Sequence, residues 1–175
     1  MGTFRYDEIC HPAERSGGDP ISERRSLYRV GRYRAPIEMG KAEVLEKGKE
    51  IAILAVGNMV RTAVQVTENL RKKGYEPTLV NMRFVKPLDT ELLDIIKEDH
   101  SLIVTMEENV KSGGFGEQVM TYYGSRMHGP AVRIVAIEDQ FVPHGSVEDL
   151  MRQQQMDSDS VTERVLQWQT KVKTK

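Results

Sequence analysis

The sequence predicts an α/β domain of three layers, α/β/α, around a mainly parallel sheet of about five strands with one antiparallel edge strand. Two observations predict it. Short apolar runs alternate along the chain with longer stretches of helical periodicity, the pattern of right-handed βαβ units. The apolar runs are also continuous rather than alternating, as befits strands covered by helices on both faces.

The first short strand is predicted at Ala42–Glu46, ending at Lys47-Gly48, and is assigned to an edge, antiparallel to the strand that follows. Ile51–Val56 is a continuous apolar run closed by Gly57. Met59–Lys73 reads as a helix with Val60, Ala63, Val64, Val66, Thr67 and Leu70 on its apolar side, and Gly74 supplies the stop. Thr78–Met82 is the next strand. Pro87-Leu88-Asp89 opens a helix with Asp89 as N-cap and Leu92, Leu93, Ile95 and Ile96 inward. Leu102–Met106 is a third buried strand, and the glycine-rich loop Ser112–Gly116 leads into a helix from Glu117 to Ser125. Val132–Ile137 is the last strand. Two helices close the chain, one capped by Ser146 and running through Gln155, the other capped by Ser158 or Asp159 and running through Lys171.

Residues 1–34 differ in character and are read as a tail or connector, disordered by composition, with residues 35–175 forming the domain. Ser16–Pro20 is a coil cluster, and the arginines at 24, 25, 29, 32 and 34 are interspersed with acids. Across 175 residues, 25 Lys and Arg balance 26 Asp and Glu. So even a balance gives no global pull toward nucleic acid or an anionic membrane. The single cysteine, Cys10, excludes an internal disulfide or a multi-cysteine metal site. No apolar run reaches the roughly 18 residues a bilayer requires, and the chain is expected to be cytoplasmic.

The glycine loop, Gly113, Gly114, Phe115 and Gly116, is the candidate anion site, because free amides at a helix N-terminus attract negative charge. The competing reading is that the small residues serve close helix–sheet packing. Glu107, Glu108, Glu138 and Asp139 fall at the ends of two strands. They form either a hard-cation site or a solvated polar rim. His144 is a candidate base without a nucleophile partner. His11, His100 and His128 show no metal spacing. Cys10 is read as inert and Trp168 as a packing anchor.

Four ordered segments carry a family resemblance: Pro36–Glu43, Val80–Asp89, Val104–Asn109 with Gly113–Gly116, and Gln140–Gly145. Together they resemble the C-terminal domain of the 1-deoxy-D-xylulose-5-phosphate synthase family, over residues 35 to 171. The resemblance implies a transketolase-type C-terminal fold within a transferase that condenses pyruvate with glyceraldehyde 3-phosphate for isoprenoid synthesis. It implies that thiamine diphosphate and magnesium serve the full-length enzyme between two other domains. This chain is therefore expected to bind neither and to carry no catalytic or metal-binding residue. The implied partners are those N-terminal catalytic domains, or a separate subunit supplying them, and a second copy in a homodimer. The alternatives are a subunit of a split transketolase-like enzyme and an anion-binding regulatory module. Three features depart from the family: Gly17-Gly18-Asp19-Pro20 is not a magnesium-binding Gly-Asp-Gly motif, Tyr28-Arg29-Val30-Gly31 lacks the proline usual at the domain entry, and Glu138-Asp139 stands where the family has Pro-Asp before Gln140.

Overall fold

The computed structural model describes residues 36–126 and 129–174. The expectations for residues 1–34, including Cys10 and His11, and for His128 lie outside them.

Five strands form one sheet: β1 (Glu43–Glu46), β2 (Glu50–Ala55), β3 (Thr78–Asn81), β4 (His100–Val110) and β5 (Ala131–Ile137), in the order β1-β3-β2-β4-β5. All pairings are parallel except that of β1. Residues Ile51 to Ala55 of β2 are buried without exception, which explains their unbroken apolar run at the sheet centre. The helices are α1 (Met59–Lys72), α2 (Thr90–Asp99), α3 (Phe115–Gly124), α4 (Val147–Gln153) and α5 (Ser158–Lys173). On one face, Leu93 and Ile96 of α2 and Phe115, Val119 and Tyr123 of α3 cover Ala52, Leu54, Val80, Ile103 and Val132. The alternate strand residues turn to the other face, where α1 and α5 pack against each other. The Tyr123 hydroxyl donates to the Leu93 carbonyl at 2.7 Å and joins α3 to α2, and its burial pushes the phenol pKa up.

Two expectations are corrected. Ile95, expected on the inward side of α2, is 68% exposed, whereas Leu93 and Ile96 are buried. β1 pairs antiparallel with β3, Glu43 opposite Asn81, and not with the strand that follows it. The crossovers occupy both edges of β2 with β3 and β4. The link from β1 to β2 passes under the start of β3, where the Gly48 amide donates to Thr78 Oγ1 at 2.9 Å and the Lys49 amide to the Glu76 carbonyl at 2.8 Å. A Cβ on Gly48 would stand 1.9 Å from the Glu76 carbonyl oxygen, so only glycine passes there.

Asp89 caps α2 as expected and does more. One carboxylate oxygen accepts from the Leu92 amide at 3.1 Å and the other from the Ala42 amide at 2.9 Å, tying the entry segment to the helix start. Asp89→Ala removes both acceptors and is expected to cost about 2 kcal/mol, the upper end for a lost cap. Urea denaturation at neutral pH measures it, and a loss below 0.5 kcal/mol, roughly the floor for a working cap, counts against the double role. Ser146 caps α4, accepting from the Asp149 amide. The cap of α5 is Asp157, one residue before the expected pair, with its carboxylate accepting from the Asp159 and Ser160 amides.

Candidate functional site

The parallel strands deliver their carboxyl ends to one edge of the sheet, where open α/β folds place ligands. Sheet order reverses between β2 and β4, and the loops after both strands meet there. Asn58, before α1, donates from Nδ2 to Glu108 Oε2 at 3.0 Å.

The glycine loop lies at this edge and α3 starts at Phe115, two residues earlier than the sequence pattern indicates. Gly114 is the N-cap position and offers no side chain. The cap comes from β4. Glu107 is 2% exposed, and its carboxylate accepts from the Phe115 amide at 2.8 Å and the Gly116 amide at 2.7 Å. The Gly113 amide donates to Glu117 Oε2 at 2.7 Å and the Gly114 amide to the Lys111 carbonyl at 3.3 Å. All four amides of residues 113–116 are thus engaged. The anion at this helix N-terminus is a side chain of the protein, and an external anion would have to displace it.

The glycines make that arrangement fit. A Cβ on Gly114 would stand 2.7 Å from both Glu107 carboxylate oxygens and the Val110 carbonyl. One on Gly116 would stand 2.6 Å from Thr105 Oγ1 and 2.7 Å from Ile134 Cγ2. Gly113 has φ +73°, which favours glycine.

The four carboxylates singled out in the sequence do not converge on one point. Glu107 is turned in under α3, Glu108 is exposed against Asn58, and Glu138 pairs with Lys111 at 3.3 Å. Asp139 and His144 are exposed in the segment after β5. Among the described residues, no group of three or more His, Cys, Asp or Glu is placed to hold a metal. His100 is buried, its Nε2 2.7 Å from Thr78 Oγ1 and its Nδ1 2.7 Å from the Ile96 carbonyl. Trp168 is half-buried on α5, with the Arg164 guanidinium 4.9 Å above its ring.

Sequence reasoning missed an ion pair near the same edge. Arg83, at φ +54°, donates to Glu43 Oε2 at 2.6 Å and to the Pro36 carbonyl at 3.0 Å. It fastens the entry segment to the segment after β3. At the opposite end of the sheet, a groove of about 530 Å³ is lined by Lys49, Glu50, Lys73, Gly74, Tyr75, Glu76 and Lys173. Its charges are mixed, and Lys173 pairs with Glu50 at 2.9 Å. That hydrogen bond raises the lysine pKa and lowers the carboxyl pKa.

Comparison with known proteins places this architecture. Residues 40–161 match the family model described as "Transketolase, C-terminal domain". The 1-deoxy-D-xylulose-5-phosphate synthase of Lachnoclostridium phytofermentans is 40% identical over 134 residues, which are 76% of this chain and 21% of that protein. That of Caldanaerobacter subterraneus subsp. tengcongensis is 37% identical over 153 residues, 85% of this chain and 24% of that protein. The chain therefore spans about a fifth to a quarter of the length of these relatives. Among solved structures, a split-gene transketolase described as an inactive beta4 tetramer superposes with a TM-score of 0.72 at 28% identity, covering 78% of this chain and 44% of that one. Transketolase from Campylobacter jejuni superposes at 0.56 with 15% identity over 73% of this chain and 18% of that one, a likeness of fold.

Proposed function

The chain belongs to the transketolase C-terminal domain family, and on that premise we propose that it is the C-terminal module of a 1-deoxy-D-xylulose-5-phosphate synthase-type transferase, noncatalytic by itself. In this reading, thiamine diphosphate, magnesium and both substrates are handled by other domains, and this module packs against them and supports a homodimer. The observation that carries the reading is the state of α3. The glycine loop, whose amides at a helix N-terminus would suit a phosphate, already holds the protein's own Glu107.

Titration calorimetry of the purified chain with thiamine diphosphate and magnesium is expected to show no binding. Saturable, magnesium-dependent binding in the micromolar range would sink the reading. A second reading has a specific observation in its favour: the likeness to a chain of a split-gene transketolase. There the module would work with a separate polypeptide carrying the catalytic domains. Purification of the endogenous protein separates the two, since a stoichiometric companion chain is expected only in the second case.

A further inference from the structure

Nine large apolar side chains are exposed among the described residues, and their distribution is uneven. Ile37, Met39, Val85, Val110, Phe141 and Val142 all lie on or beside the edge that holds the carboxyl ends of the parallel strands, which β1 meets with its amino end. Val147 opens α4 directly afterwards. Only Ile95 and Met120, on α2 and α3, lie elsewhere. The rim residues form two groups flanking the end of β2: Ile37, Met39 and Val85 beside β1 and β3, and Val110, Phe141 and Val142 beside β4 and β5. At about 4.8 Å per strand the whole edge from β1 to β5 is roughly 20 Å wide, a span that suits one partner surface of ordinary interface size. Phe141 is fully exposed, and an aromatic so placed is a typical anchor for a partner pocket. α4 has no buried residue, although helices this short gain most of their stability from packing.

A second observation identifies what belongs there. Pro36 lies on this same rim, held by Arg83 and followed by Gly40 against Pro87. β1 starts opposite Asn81, at the carboxyl end of β3. Polypeptide joined ahead of the domain therefore departs from the edge where the apolar side chains are concentrated. A neighbour joined through this entry segment is held at high effective concentration against that edge.

We propose that the carboxyl rim is the docking face for the polypeptide that precedes this domain in the synthase relatives, an inference that rests on the module reading above. The apolar rim residues are then covered in the complete enzyme, and the outer faces of α2 and α3 remain in water.

The test mixes the purified chain with the Lachnoclostridium phytofermentans synthase cut where its match to this chain begins. A one-to-one complex is expected. Met39→Asp and Phe141→Asp each weaken it at least tenfold, whereas Ile95→Asp leaves it unchanged. Each variant sits on the surface, so its own melting temperature should match the wild type. Hydrogen exchange on the mixed wild-type chains gives an answer without substitution: protection should rise at residues 36–40, 83–86 and 138–147 and stay constant on α2 and α3. A complex indifferent to Met39→Asp and Phe141→Asp overturns the rim but leaves the module reading standing. Absence of any complex overturns both. Self-association through the rim that excludes the added polypeptide assigns the face to a second copy and overturns the proposal.

Discussion

Glu107→Ala is expected to lower the thermal midpoint of the purified chain by on the order of 10 °C, the equivalent of about 3 kcal/mol for a domain of this size. Three contributions lead to that value. The Phe115 and Gly116 amides lose their acceptor in a buried place, and each unsatisfied donor costs about 1–3 kcal/mol. The positive end of α3 loses its countercharge, at up to about 2 kcal/mol in partly buried geometry. Against these stands the relief of desolvating a carboxylate, which removes part of the sum. Glu107→Gln retains one carbonyl oxygen but turns an NH₂ toward the second amide, so an intermediate loss of about 2 kcal/mol is expected. With the internal carboxylate gone, the helix N-terminus becomes an ordinary anion site, so inorganic phosphate should raise the midpoint of Glu107→Ala more than that of the wild type. A variant that melts within about 2 °C of wild type, with no differential response to phosphate, would show that Glu107 merely fills space.

The same residue marks the limit of what the sequence makes legible. β2 and the core of β4 are read easily because helices cover both faces, so burial itself writes the continuous runs Ile51–Ala55 and Leu102–Met106. The run ends at Glu107, yet the strand continues to Val110, across an irregularity, to pair with Ile137. A buried carboxylate looks in sequence like a solvated one until its partners are known. The start of α3 is displaced for the same reason, its cap lying eight and nine residues back on a strand and not at the local N-cap position. Asp89 was legible because its cap is local; its bond to Ala42, 47 positions away, was not. The pairing of β1 was misassigned because edge pairing follows from where crossovers put the neighbours, and the sequence of a four-residue strand carries no record of that. The exposed Phe141 and Val142 belong to a segment that resembles the family, but only the fold shows that they share an edge with Ile37 and Met39.

Arg83 and Glu43 supply the second large effect, and one whose sign under paired substitution is informative. Their side chains are 13% and 9% exposed, and the 2.6 Å contact is well shielded from water. Removing one partner of a shielded pair typically costs about 3–5 kcal/mol, chiefly because the other charge keeps its desolvation without that attraction. Glu43→Met and Arg83→Met are therefore each expected to lose about 3 kcal/mol in urea denaturation. The double variant should lose clearly less than the two losses combined, because neither charge then remains to be desolvated. Arg83 also donates to the Pro36 carbonyl, so Arg83→Met should speed hydrogen exchange at residues 36–42 more than Glu43→Met does. That asymmetry separates a clamp on the entry segment from a simple ion pair. If the entry segment is the tether from which a preceding domain reaches the rim, Arg83→Met should also weaken the complex with the added synthase polypeptide while leaving Met39 and Phe141 intact. Strictly additive losses, with equal exchange at 36–42 in both single variants, would show that Arg83 acts independently of Glu43 and remove the clamp.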